Sequence, residues 1–120
     1  VKRVTIESPL AGDFEKNRRY ALWCVYHCAS LGEAAYASHL FYPQCLNDED
    51  EQHREFGIQA GYEWASKGSL YLFYQDLGWS KGMLRAKDRW EGRPMQTRSL
   101  PMEMKMSFLA GESPKATRGF

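Results

Sequence analysis

The sequence predicts an α/β domain, a three-layer αβα sandwich around a parallel sheet of four or five strands. Three observations predict it. Apolar runs of strand character alternate with longer segments of helical period, in the order β-α-β-α-β-α-β. One run, Ser69 to Tyr74, is apolar on both faces, as a central strand covered by helices on each side must be. The length of 120 residues suits one core and not two.

Residues 1–7 read as the first strand and Ser8-Pro9-Leu10-Ala11-Gly12-Asp13 as a turn-rich loop. Asp13 is placed to cap a helix running to about Leu31, whose apolar positions Phe14, Ala21, Leu22, Val25, Cys28 and Ala29 recur at helical spacing. Gly32 ends it. Ala34 to Ser38 is a short second strand, and residues 39–46 form a loop with too many aromatics for an idle linker. The acidic run Asn47 to Glu51 opens a second helix, reaching about Ser66, and acids in a first turn complement the helix dipole. Gly57 and Gly61, one turn apart, permit close packing against the sheet or a neighbouring subunit. After the strand at 69–74, residues 75–82 form a loop, a third helix spans about Lys81 to Glu91, and Gly92-Arg93-Pro94 breaks it. Met95 to Leu100 is the fourth strand. Residues 101–120 show no sustained period and read as an irregular tail, packed through Met102, Met104, Met106 and Phe108. The domain thus covers residues 1–100, in a flavodoxin- or Rossmann-like order with strand one between strands two and three.

Composition excludes several classes. The 16 basic and 15 acidic side chains nearly cancel, which gives no electrostatic case for nucleic acid or a membrane surface. No apolar run approaches bilayer length, and the N-terminus reads as a strand and not as a signal peptide. Three cysteines argue against a disulfide framework and for a cytoplasmic setting. Cys24 and Cys28, a turn apart beside His27, read as small core hydrophobes, because no second ligand pair accompanies them. No metal or cofactor is expected. The glycine-rich dinucleotide pattern and the Walker lysine motif do not occur.

In parallel sheets of this kind ligands bind beyond the carboxyl ends of the strands. Three loops meet there, residues 8–13, 39–48 and 75–82. The first offers Ser8, Pro9, Leu10, Gly12 and Asp13, followed by Asn17; its backbone N–H groups and the Asp13 carboxylate suit a sugar or base. Asp13 as helix cap and as ligand contact are compatible. The second offers His39 and Tyr42 beside Phe41. The third offers Asp76, Trp79, Ser80, Gly82 and Met83, where a helix opens and can hold a phosphate or a sugar hydroxyl. Tyr42, Phe41 and Trp79 could wall a planar base, with Trp79 equally placed to cover the sheet edge. His53, on an acidic helix, reads as surface.

Taken together, Ser8 to Asp13 with Asn17, His39 to Gln44, and Asp76 to Met83 resemble a phage- and bacterium-borne branch of the nucleoside 2-deoxyribosyltransferase-like superfamily, over roughly residues 3–100. That resemblance implies a nucleoside or nucleotide ligand, a host cytoplasmic setting for a phage product, and a homodimer or larger assembly in which a neighbouring subunit completes the site. It also implies a carboxylate nucleophile four residues after Gly82, where this chain has Ala86. Two classes therefore compete. One is a binding module without the nucleophile, such as a binder of a nucleotide-derived signal. The other is an enzyme cleaving an N-glycosidic bond with another carboxylate, for which Asp76 is the candidate. A protein inhibitor of a host enzyme is a further alternative.

Overall fold

Side-chain caps set the starts of three of the main helices of the chain. In the computed structural model, which describes residues 1–116, the Asp13 carboxylate accepts from Lys16 N and starts α1 (Phe14–Ser30). Asp50 accepts from Gln52 N and His53 N and starts α3 (Glu51–Ala65). Ser80 accepts from Met83 N and starts α4 (Lys81–Arg89). The remaining elements are β1 (Arg3–Glu7), β2 (Ala34–Tyr36), the one-turn α2 (Ser38–Phe41) with a 3-10 turn at Tyr42–Gln44, β3 (Leu70–Tyr74), β4 (Met95–Arg98), α5 (Met102–Leu109) and a 3-10 turn at Pro114–Ala116.

The four strands form one parallel sheet in the order β2-β1-β3-β4, with Thr5 opposite Tyr71 and Glu7 opposite Phe73. Side chains alternate across a strand, so each strand serves two cores. Val4, Ile6, Leu72 and Tyr74 join Tyr20, Trp23, Cys24, Cys28 and Phe108 in one core beneath α1 and α5. Tyr71 and Phe73 join Ala65, Met83, Ala86 and Trp90 in the other, beneath α3 and α4. The sequence reading allows one core; the sheet divides it into two clusters, one on each face, which gives the expected three layers. Cys24 and Cys28 are buried and free, as read from the sequence. No helix among the described residues is long and apolar enough to cross a membrane, and no group of three or more metal-ligating side chains occurs among them.

Two segments differ from the sequence reading. Residues 102–109 are helical, not irregular. Phe108 is buried against Tyr20, ring centroids 5.3 Å apart, and Met104 packs beside it, while Met102 and Met106 stay exposed. So short a helix is held by this docking and not by its own propensity. The rest of the tail follows α1, with Trp23 Nε1 donating to Glu112 O at 2.8 Å; residues 117–120 of that expected tail lie outside the described residues. The loop expected at 39–46 holds α2 and the 3-10 turn. Gly61 is the close approach that sets α2 on α3, since a Cβ there would lie 2.8 Å from Ser38 Oγ.

Candidate functional site

The carboxyl end of β1 with the loop after it, Tyr71 of β3, one side of α4 from its first turn, and α2 and α3 line a cavity of about 480 Å³. Six of the residues expected there line it: Ser8, Leu10, His39, Tyr42, Ser80 and Gly82. Ser8 and His39 are both buried, and Ser8 Oγ lies 2.7 Å from His39 Nε2. Burial lowers the His39 pKa to about 4, so its imidazole is neutral at physiological pH.

Seven expected residues do other work. Pro9 is buried outside the lining. Gly12 turns the chain at φ 98°, a conformation that favours glycine. Asp13 caps α1 and faces solvent. Asn17 is buried beneath the loop, donating from Nδ2 to Leu10 O at 3.2 Å and Ala11 O at 2.9 Å, and so shapes the loop that brings Leu10 to the cavity. Met83 belongs to the core below α4. Trp79 stacks on Phe73, centroids 5.1 Å apart and planes at 16°, with Lys87 Nζ 5.5 Å from its ring; this fits the covering role weighed for it.

Asp76 departs furthest from expectation. Its carboxylate turns away from the cavity to tie α1, β4 and α5 together. Asp76 Oδ2 accepts from Tyr20 Oη at 2.5 Å and from Leu100 N at 3.0 Å, and Lys105 Nζ lies 3.8 Å from Oδ1. The Asp76 side chain is 3% exposed. A carboxylate held by these donors is a structural anchor, which removes the residue as the candidate catalytic group.

The cavity holds a different carboxylate. Glu7 ends β1 on the face that carries Thr5, opposite Val4 and Ile6, and therefore points toward α3 and α4. Tyr71 Oη donates to Glu7 Oε2 at 2.6 Å. Glu7 is half-buried and lines the cavity. Among the described residues no cation lies within ion-pair distance of it. Desolvation raises its pKa from 4.5 to about 7, against the Tyr71 hydrogen bond, which favours the charged form.

Basic side chains gather on the α4 wall. Lys81, Arg85 and Arg89 recur every four residues along the cavity, and Arg54 comes from α3. No carboxylate lies within ion-pair distance of these four among the described residues; Arg89 lies over the Tyr62 ring at 4.9 Å. Ser80, Lys81 and Gly82 bring the N-terminus of α4 to the same cavity. Tyr42, Tyr62 and Tyr71 supply aromatic surface, and Asp48 and Glu55 lie on the α3 side. His53, read from the sequence as surface, also lines the cavity, and its Nδ1 accepts from Asn47 N at 2.9 Å. Ala86 is 3% exposed and is part of the wall.

Sequence reasoning missed Glu7, His53, Tyr62, Arg54, Arg85 and Arg89. A signal existed for the first: in a strand covered on both sides, a charged residue in phase with Thr5 and out of phase with Val4 and Ile6 is out of place unless it serves a cavity.

No curated protein and no solved structure matches the chain. A family model described as "Domain of unknown function (DUF7768)" matches residues 2–109, from the start of β1 to the end of α5. Every residue lining the cavity falls inside that match, and the chain belongs to this family.

Proposed function

We propose that the cavity binds a nucleoside phosphate. The observation that carries this reading is the meeting, in one cavity at the carboxyl edge of a parallel sheet, of a capped helix N-terminus, four cations with no carboxylate partner among the described residues, and tyrosine surface. Backbone N–H groups of the first turn of α4 and the Lys81 ammonium suit a phosphate, and the Arg85 guanidinium can engage it in a fork. Tyr42 and Tyr62 suit the face of a base. The resemblance noted in the sequence points to the same ligand class, and Ala86 favours binding over the nucleophilic mechanism which that resemblance implies.

Calorimetry with nucleosides, nucleoside monophosphates and cyclic nucleotides tests the reading. Phosphate-bearing ligands should bind more tightly than their nucleosides, and binding should weaken with added salt. Arg85→Ala should weaken phosphate-bearing ligands about tenfold, or about 1.4 kcal/mol, and leave nucleosides unchanged. Absence of saturable binding across the panel would refute the reading and favour a protein-partner role.

A further inference from the structure

Three acidic side chains line the cavity, and Glu7 is the one that the sheet supplies. Binding a phosphate does not call for it, because an ionised carboxylate repels an anion. Its position is also costly. Desolvation raises its pKa to about 7, and among the described residues no cation lies within ion-pair distance to offset that cost. Tyr71 Oη, 2.6 Å from Oε2, is its only hydrogen-bond partner among the described residues. A carboxylate accepts about four hydrogen bonds on its two oxygens, so most of its accepting capacity is unused.

The groups around Glu7 come from every wall of the cavity. Tyr71 on β3 donates to it; Tyr62 on α3, Arg85 and Arg89 on α4, and the neutral His39 on α2 line the same space. Tyr62 is close enough to Glu7, Arg89 and Arg85 for their charges to act on its phenol, and Arg89 stands over its ring at 4.9 Å. A carboxylate with spare capacity therefore stands beside aromatic surface. A nucleoside phosphate in this cavity keeps its phosphate away from Glu7, at the amides and Lys81 that open α4, and turns its base toward the carboxylate.

The chemistry of the bases then separates them. Two free carboxylate oxygens call for two N–H donors side by side. Among the common bases guanine alone carries them on one edge, N1–H beside the 2-amino group. Adenine and cytosine set an acceptor next to the amino group, and uracil and thymine set one N–H between two carbonyls. Sugar hydroxyls are the other donors that a carboxylate takes. The tyrosines beside Glu7 favour the base, whose flat face they match.

We propose that Glu7 is the base-selecting residue of the cavity and that the ligand is a guanine nucleotide, whose N1–H and 2-amino group donate to the Glu7 carboxylate. This rests on the nucleotide reading above and names its base. The donors of guanine replace the hydration that Glu7 has lost and hold it ionised in the complex. Tyr71 is a positioning residue: its hydroxyl fixes Oε2 and leaves the rest of the carboxylate to the base.

The test is calorimetry on the full chain with the 5′-monophosphates of guanosine, deoxyguanosine, inosine and adenosine. The guanosine nucleotide should bind at least about tenfold more tightly than the adenosine nucleotide, with the inosine nucleotide, which lacks the 2-amino group, between them. The deoxyguanosine nucleotide should match the guanosine nucleotide. Glu7→Gln should abolish the preference for guanine, because an amide offers one acceptor and one donor and suits the adenine edge. In the wild type the ratio of guanosine to adenosine affinities should grow as pH rises through about 7 and Glu7 ionises. In Glu7→Gln it should stay flat; phosphate ionisation is common to both ligands and cancels. A purely structural role for Glu7 moves none of these ratios. Equal affinities in the wild type, a guanine preference that survives Glu7→Gln, or a Glu7-dependent preference for ribose in place of one for the base would overturn the proposal and leave nucleotide binding standing. Failure to bind any nucleotide would overturn both.

Discussion

Replacing Glu7 by glutamine should stabilise the protein, and the gain should depend on pH. Glutamine keeps the shape and an oxygen to accept from Tyr71 Oη, and it cannot ionise. In the wild type the folded-state pKa of Glu7 is raised from 4.5 to about 7. The folded protein therefore holds this proton at pH values where the unfolded chain has released it, and stability falls as pH rises. The contribution is fully present below pH 4.5 and is lost as pH climbs through about 7. At about 1.4 kcal/mol for each pH unit between those values, the loss is about 3 kcal/mol. Glu7→Gln should match the wild type near pH 4 and exceed it by about 3 kcal/mol above pH 7.5, or about 10 °C in Tm for a domain of this size. His39 has the opposite sign. Its pKa is lowered from 6.5 to about 4, so its contribution is present above pH 6.5 and is lost on acidification toward pH 4. The two slopes offset one another in the wild type between about pH 4.5 and 6.5, and Glu7→Gln exposes the His39 slope. Thermal denaturation of both proteins from pH 4 to 8.5 measures the difference. A difference in Tm that stays constant across this range would refute the argument that Glu7 titrates in a desolvated site.

Other perturbations test the frame around the cavity. Asp76→Ala leaves Tyr20 Oη and Leu100 N without their buried acceptor and should cost about 3 kcal/mol in chemical denaturation, without changing nucleotide affinity. Gly61→Ala places a methyl against Ser38 Oγ and should cost about 1–3 kcal/mol, with weaker ligand binding because α2 carries His39 into the cavity wall. The expected homodimer, if formed through the exposed Phe41, Phe56 and Trp64 on α2 and α3, should appear in light scattering and be lost in Phe56→Lys.

What could be read in the sequence was local or topological. Asp13 and Ser80 announce helix starts because a capping side chain acts within three residues of itself. Ser8, His39, Ser80 and Gly82 could be assigned to one site because the alternating pattern brings strand ends together whatever the side chains do. The misplaced residues depend on partners distant in the chain. Asp76 becomes an anchor because Tyr20, 56 residues earlier, and Leu100, 24 residues later, point donors at it. Trp79 and Met83 are set by the face of Phe73 and by the phase of α4, which no spacing in the loop reveals. Arg54, Tyr62, Arg85 and Arg89 sit on helices whose cavity-facing sides are defined only once α3 and α4 cover the same face of the sheet. The short α5 has too little period to be visible and exists through Phe108.

Glu7 and Ala86 both line the cavity, and whether they share one space can be measured without a ligand. Ala86→Glu puts a second carboxyl into the same enclosed space, where two like charges cannot both ionise cheaply. At pH 8 the substitution should therefore cost more in the wild type, where Glu7 is largely charged, than in Glu7→Gln, where it meets a neutral amide. The coupling from the four proteins of the cycle should be about 1 kcal/mol or more at pH 8. It should vanish near pH 4, where both carboxyls are protonated, because only charge repulsion distinguishes the two backgrounds. The steric cost of the larger side chain is common to both and cancels. Strict additivity at pH 8 would mean that position 86 and Glu7 do not share the same space.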